Sequence, residues 1–194
     1  MRGELILSVR ERGGVLSLLL PMLLSMLLLI ASGMVAQAAP AGKCAVASRV
    51  QAAAADFMRA GRSGSPAAIR RVLNRHVDMR RVMTFALGRD IRRMSRAERR
   101  RYYRQGTDYA ARKLATLARS LRGSGIEIVR CRGNRVESRL LPSGNRVVWK
   151  LRGRRIVDVN FRGVWMAFIL RDHFRRMWRQ SGQDARAFLA RLEN

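Results

Sequence analysis

Between Cys44 and Ala60 the chain is rich in Ala and lacks internal Pro or Gly, and Val46, Val50, Ala53, Phe57 and Ala60 fall three or four residues apart. That spacing puts them on one face of an amphipathic helix. Gly61-Arg62-Ser63-Gly64 interrupts the pattern. Ser65-Pro66 then offers a helix start, with a hydroxyl to cap free amides and a proline where no N–H is needed. This second helix is expected to run to about Val77, and helical spacing continues through Val82, Met83, Ala86 and Leu87 to Gly88. A further start lies at Ser95, which has capping-box spacing to Glu98. From Arg96 to Leu121, small or apolar residues recur at Tyr103, Gly106, Ala110, Leu114, Leu117 and Leu121, predicting one long surface helix with a buried stripe.

After Gly123-Ser124-Gly125 the pattern changes from helical to alternating. Four extended segments are expected, at Ile126 to Arg132, Arg135 to Leu141, Arg146 to Arg152 and Arg155 to Phe161. The connections between them are short enough for antiparallel hairpins, so the simplest arrangement is a four-stranded meander. Alternation puts Val147, Trp149 and Leu151 on one face of the third strand, and Val157, Val159 and Phe161 on one face of the fourth. One sheet face is therefore apolar and needs a cover. Helical spacing returns from Val164 to Arg179, with Met166, Leu170, Phe174 and Met177 aligned, and a last short helix spans Ala185 to Leu192. Helices, then strands, then helices define the α+β class, with the N-terminal and C-terminal helices on one sheet face.

The segment before all of these elements reads as a leader. Val15 to Ala31 is almost unbroken in its apolar character, follows a stretch containing Arg2, Arg10 and Arg12, and leads to Ala36-Gln37-Ala38. Small residues at that spacing suit a signal peptidase, so residues 1–38 are expected to be a signal peptide cleaved after Ala38, leaving residues 39–194 as one domain in the periplasm. The competing reading is an uncleaved anchor, because the apolar run approaches the roughly 20 residues that span a bilayer.

Charge changes the choice of partner. The chain has 40 Lys and Arg against 13 Asp and Glu, a net charge of +27, and only Lys43, Lys113 and Lys150 are lysines. A surplus of this size ordinarily points to nucleic acid, but export argues against that partner. The arginines are scattered over every predicted element, which fits a solvated surface or attraction to anionic membranes. Cys44 and Cys131 are the only cysteines. In an oxidising compartment they can form one disulfide, or remain as two separate buried thiols. With His76 and His173 distant in sequence, they show no metal-ligand spacing.

Catalytic motifs are missing from the sequence. There is no Gly-x-Ser-x-Gly elbow, phosphate loop or dinucleotide fingerprint. Glu98, Asp108, Asp158 and Asp172 are isolated carboxylates with abundant Arg available for pairing, and His173 has no partner nucleophile. No enzyme activity and no cofactor are expected. A sheet covered by helices can close to a dry core or leave a pocket for an apolar ligand, and periodicity does not separate the two.

Several stretches carry a family likeness. Val77-Asp78-Met79, Ala86-Leu87-Gly88-Arg89, Ser95-Arg96-Ala97-Glu98-Arg99 and Tyr109-Ala110 resemble the N-terminal half of the MlaC, or toluene-tolerance, family. Arg155-Ile156-Val157-Asp158-Val159-Asn160-Phe161-Arg162-Gly163-Val164 is similar to that family's "vyDv-x-x-eGv" strand and turn. Arg171-Asp172-His173-Phe174 and the stretch from Asp184 to Leu192 follow in the family's order. The chain departs from the pattern at Arg154 or Arg155, at Arg162 and at Trp165, where the family often has Trp, an acidic residue and Ser.

The resemblance implies a monomeric periplasmic carrier whose cavity holds the acyl chains of a phospholipid. Its partners would be an inner-membrane ABC transporter with a periplasmic lipid-channel subunit and an outer-membrane lipoprotein/porin complex. Placing that architecture on the apolar faces gives an expected lining of Val82, Met83, Leu87, Tyr109, Val147, Trp149, Val157, Val159, Phe161, Phe168 and Phe174. Two rival readings stay open: an exported polyanion binder for lipopolysaccharide or nucleic acid, and an anchored envelope scaffold.

Overall fold

The computed structural model describes residues 44–121 and 124–193. The expected signal peptide, its cleavage site and the alternative anchor lie outside the described residues. Helix α1 spans Ala47–Ser63, α2 Pro66–His76, α3 Met79–Leu87 and α4 Arg96–Ser120, with a 3-10 turn over Gly88–Arg93. Strands β1 Gly125–Arg132, β2 Arg135–Leu141, β3 Arg146–Arg152, β4 Arg155–Phe161 and β5 Val164–Trp165 follow, then α5 Met166–Gln180 and α6 Ala185–Glu193. The sheet is an antiparallel meander in the order β1-β2-β3-β4-β5.

The expected helix signals act locally. Ser65 Oγ accepts from the Ala68 amide ahead of Pro66, and Ser95 and Glu98 form a reciprocal capping box. Gly61 differs from expectation. It continues α1 instead of breaking it, because its missing Cβ lets the helix meet α4: a Cβ there would lie 2.4 Å from the Ala118 carbonyl oxygen. The helix ends at Gly64, whose φ of 62° is left-handed and suits glycine.

Between α2 and α3 the chain becomes extended for two residues. Val77 bridges to Ile156, the Asp78 amide donates to the Ile156 carbonyl at 2.9 Å, and Asp78 Oδ1 caps α3 by accepting from the Arg81 amide. The helical layer is thereby pinned to β4. A fifth strand appears where helical spacing alone predicted helix from Val164. The two residues Val164 and Trp165 pair back onto Phe161 and Asn160 before α5 begins.

Packing divides into a helical core and two smaller contacts with the sheet. Tyr102, Phe174, Trp178 and Phe188 are fully buried together, and the Tyr102 hydroxyl donates to the Met83 carbonyl at 2.9 Å. Val50 and Ala53 of α1 meet Val136, Leu151 and Ile156 of the sheet, while Met58 meets Leu140 and Val147. Trp149 and Val159 touch both of these groups yet stay only partly buried. Cys44 and Cys131 are joined by a disulfide, tying the residues before α1 to β1.

Candidate functional site: an apolar hollow with a basic end

The helices do not close fully on the sheet. A hollow of about 530 Å³ remains, walled by α1, the α2–α3 junction, α4, the inner face of the sheet and α5. Each wall follows from its local pattern. On α4 the row Ala110, Leu114, Leu117 and Leu121 faces inward at helical spacing. On α5 the inward row runs from Met166 through Ile169 and Leu170 to His173 and Arg176. A bulge in the β3–β4 register pairs Leu151 with Ile156 and Lys150 with Asp158, leaving Val157 as the extra residue, and both Ile156 and Val157 reach the hollow.

Polar groups are few, and four of them meet at one end. Tyr109 and Lys113 of α4 meet His173 and Arg176 of α5. The Tyr109 hydroxyl and His173 Nε2 are hydrogen-bonded, and Lys113 Nζ lies 5.3 Å from the Tyr109 ring centroid. Burial holds the His173 imidazole below its ordinary range, and the neighbouring Arg176 and Lys113 charges push it further down. Burial likewise raises the Tyr109 phenol. This end therefore presents a neutral hydrogen-bonding pair between two cations. A second hollow of about 410 Å³ adjoins it, sharing His173 and Arg176 and adding Arg191.

Two other polar residues on the wall have partners within the protein. His76 Nε2 lies 2.8 Å from Asp56 Oδ2, and this hydrogen bond is the main reason the Asp56 carboxyl sits below its usual range. Asp158 is half-buried, and desolvation raises its pKa against the opposing effect of backbone N–H donors. Its Oδ1 accepts from the Val159 amide and from Ala167 in the first turn of α5, so it anchors the helix to the sheet. Among the described residues no group of three His, Cys, Asp or Glu is placed to hold a metal ion.

Of the expected lining residues, Val82, Tyr109, Val147, Trp149, Val157, Val159 and Phe161 stand on the wall. Met83, Leu87 and Phe174 lie instead in the helical core, fully buried. Phe174, for example, packs edge-on against the rings of Tyr102, Tyr109 and Phe188. Phe168 points away from the hollow, is 53% exposed and packs edge-on against Phe85. Sequence reasoning missed the α1 wall of Ala54, Phe57 and Met58 and the basic end made by Lys113 and Arg176. The α5 spacing from Met166 to Arg176 was a usable signal for that end, since it continues an apolar row into a basic residue.

The fold is thus α+β, with an apolar hollow kept between the helices and an antiparallel meander. The chain belongs to the MlaC protein family, which matches residues 48–194. A similar solved structure is that of a phospholipid-binding protein from Ralstonia solanacearum, determined in complex with a phospholipid. It shares 15% identity at a TM-score of 0.64, covering 76% of this chain and 94% of that one. No curated protein sequence matches the chain.

Proposed function

We propose that this protein is a periplasmic phospholipid carrier that holds acyl chains in the 530 Å³ hollow, with the lipid phosphate at the Lys113–Arg176 end. The observation that carries the reading is the combination of a predominantly apolar wall with Lys113 and Arg176 together at one end. Each methylene moved from water into such a wall contributes about 0.8 kcal/mol, while the phosphate keeps charged and hydrogen-bonding partners. Membership of the MlaC family and the phospholipid in the Ralstonia protein support the same ligand class.

On this reading no bond is made or broken. The protein takes lipid from one membrane complex and delivers it to another across the periplasm, between an outer-membrane lipoprotein/porin complex and an inner-membrane ABC transporter. The apolar leader ending in Ala36-Gln37-Ala38 supports export. No helix of the described residues is long and apolar enough to cross a membrane.

The test is native mass spectrometry with lipid extraction on protein recovered from the periplasm of a Gram-negative host. Co-purified phospholipid at near one molecule per chain is expected. Protein that is repeatedly lipid-free and also refuses added phospholipid would sink the reading.

A further inference from the structure

Three large apolar side chains stand exposed at the start of α5 and just before it: Val164 at 48%, Phe168 at 53% and Ile169 at 49%. One of them, Ile169, also lines the hollow. Val164 pairs across the β4–β5 turn with Phe161, and Phe161 and Ile169 both line the cavity wall. Phe168 extends the patch onto Phe85, with ring centroids 5.3 Å apart. Exposed apolar side chains on this rim thus adjoin residues that line the interior.

The border of this patch is cationic. The Arg171 guanidinium lies 5.0 Å from the Phe85 ring centroid, and that of Arg162 lies 5.9 Å from the Phe161 ring centroid. From Phe161 to Arg171 there is no acidic residue. Arginines that stack on the patch's own aromatics keep their stems on apolar surface while their charged heads remain available to anions.

We propose that this β5–α5 rim is a docking surface for an anionic phospholipid bilayer, placing the mouth of the hollow against the headgroup layer. Exposed aliphatic and aromatic side chains enter the headgroup boundary, flanking arginines pair with lipid phosphates, and the +27 chain is drawn to the negative surface. The chemistry fits a bilayer because the patch is exposed at a helix start and a tight turn and carries cations on its border. The purpose of docking rests on the carrier reading, since a lipid-filled hollow is what the mouth would serve, but vesicle binding is measured separately from lipid content.

The experiment is vesicle flotation of the purified protein with phosphatidylcholine alone and with about one-third phosphatidylglycerol. The parent is expected to float with the anionic vesicles at least about tenfold more strongly, and to lose binding between about 0.05 and 0.5 M salt. Phe168→Ser should weaken binding about tenfold, and Arg162→Gln with Arg171→Gln about thirtyfold. None of the three side chains lines the hollow, so co-purified lipid should be unchanged, and parent and variants share the same N-terminal segment. Circular dichroism checks that each variant is folded.

Absence of binding, or binding equal in the parent and both variants, overturns the docking surface. So does parent self-association in sedimentation that Phe168→Ser abolishes, which would assign the patch to a second copy of the chain. Lipid-free protein that still binds anionic vesicles through Phe168 would uphold the surface while removing the carrier reading.

Discussion

The Tyr109 hydroxyl and His173 Nε2 sit 2.5 Å apart with their rings stacked at 5.4 Å, joining α4 to α5 at the basic end of the hollow. Protonating His173 would place a third positive charge beside Lys113 and Arg176 in a partly desolvated site. Its folded pKa lies below the ordinary value of 6.5, so the unfolded chain binds the proton more readily. Stability should therefore fall as pH drops through about 6.5 and level off below the folded pKa. Thermal melts at pH 7.5 and pH 5.5 should show a larger loss for the parent than for His173→Gln. Equal losses would mean that His173 is not the responsible group.

Filling the hollow should separate ligand binding from stability. Ala54 is only 2% exposed yet stands on the cavity wall, so a larger side chain there has room to enter empty space. Ala54→Phe is expected to remove most co-purified phospholipid while changing the melting temperature by no more than about 3 °C. A large loss of stability with lipid retained would show that this part of the wall is ordinary close-packed core.

Two buried helical glycines should respond differently to the same methyl group. At Gly61 the added Cβ meets the Ala118 backbone at 2.4 Å, and backbone has nowhere to move without separating α1 from α4. At Gly106 the closest atom is the Met83 sulfur at 2.7 Å, which lies toward the flexible end of its side chain. Gly61→Ala should cost about 3 kcal/mol. Gly106→Ala should fall within about 1 kcal/mol of neutral, because the gain in helix propensity offsets the crowding. Urea midpoints measure both, and a reversed order would place the tight helix contact elsewhere.

These contrasts also show what the sequence could reveal. Periodicity located the helices and β1 to β4 to within about three residues, because capping at Ser65 and Ser95 and the tight turns at Gly133 and Gly153 are local chemistry. It did not locate β5, since Val164 and Trp165 fit a helical row equally well and only pairing with Phe161 and Asn160 makes them extended. Nor did it separate wall from core. Trp149 and Trp178 both occupy apolar rows, yet Trp178 is 2% exposed among rings while Trp149 donates its Nε1–H to Ser138 and faces the hollow. Which apolar row meets empty space depends on how far α1 and α5 stand off the sheet, and contacts that hold those helices there span the chain, such as Val50 with Leu151 for α1.

Glu137 gives the acid limb of the stability curve. Its carboxylate on β2 lies between Arg130 of β1 and Arg146 of β3, and their hydrogen bonds, Arg146's first, lower its pKa to about 2. A depressed carboxyl contributes stability that is present above the unfolded value of about 4.5 and is lost as pH falls toward 2. Both arginines are exposed although Glu137 itself is largely covered, so solvent and salt screen the pairs and the effect is modest. Glu137→Gln should flatten the stability profile between pH 4.5 and 2 in low salt, and an unchanged slope would remove the pair from the account.

The disulfide should matter most of all the single features. Cys44 and Cys131 are 87 residues apart in sequence, so the bond closes a long loop and restricts the unfolded chain by about 4 kcal/mol on the loop-entropy account. It also acts at an edge of the sheet. β1 is an edge strand paired only with β2, and α1 reaches the sheet through two small clusters, around Val50, Ala53 and Leu151 and around Met58. Cys44→Ser with Cys131→Ser is therefore expected to lower the urea midpoint by an amount matching the loss on adding reductant to the parent, with no further effect of reductant on the variant. Because Ala53, Ala54, Phe57 and Met58 wall the hollow from α1, phospholipid should also leave the variant faster than the parent. Unchanged stability together with unchanged lipid release would show that α1 is held by its packing alone.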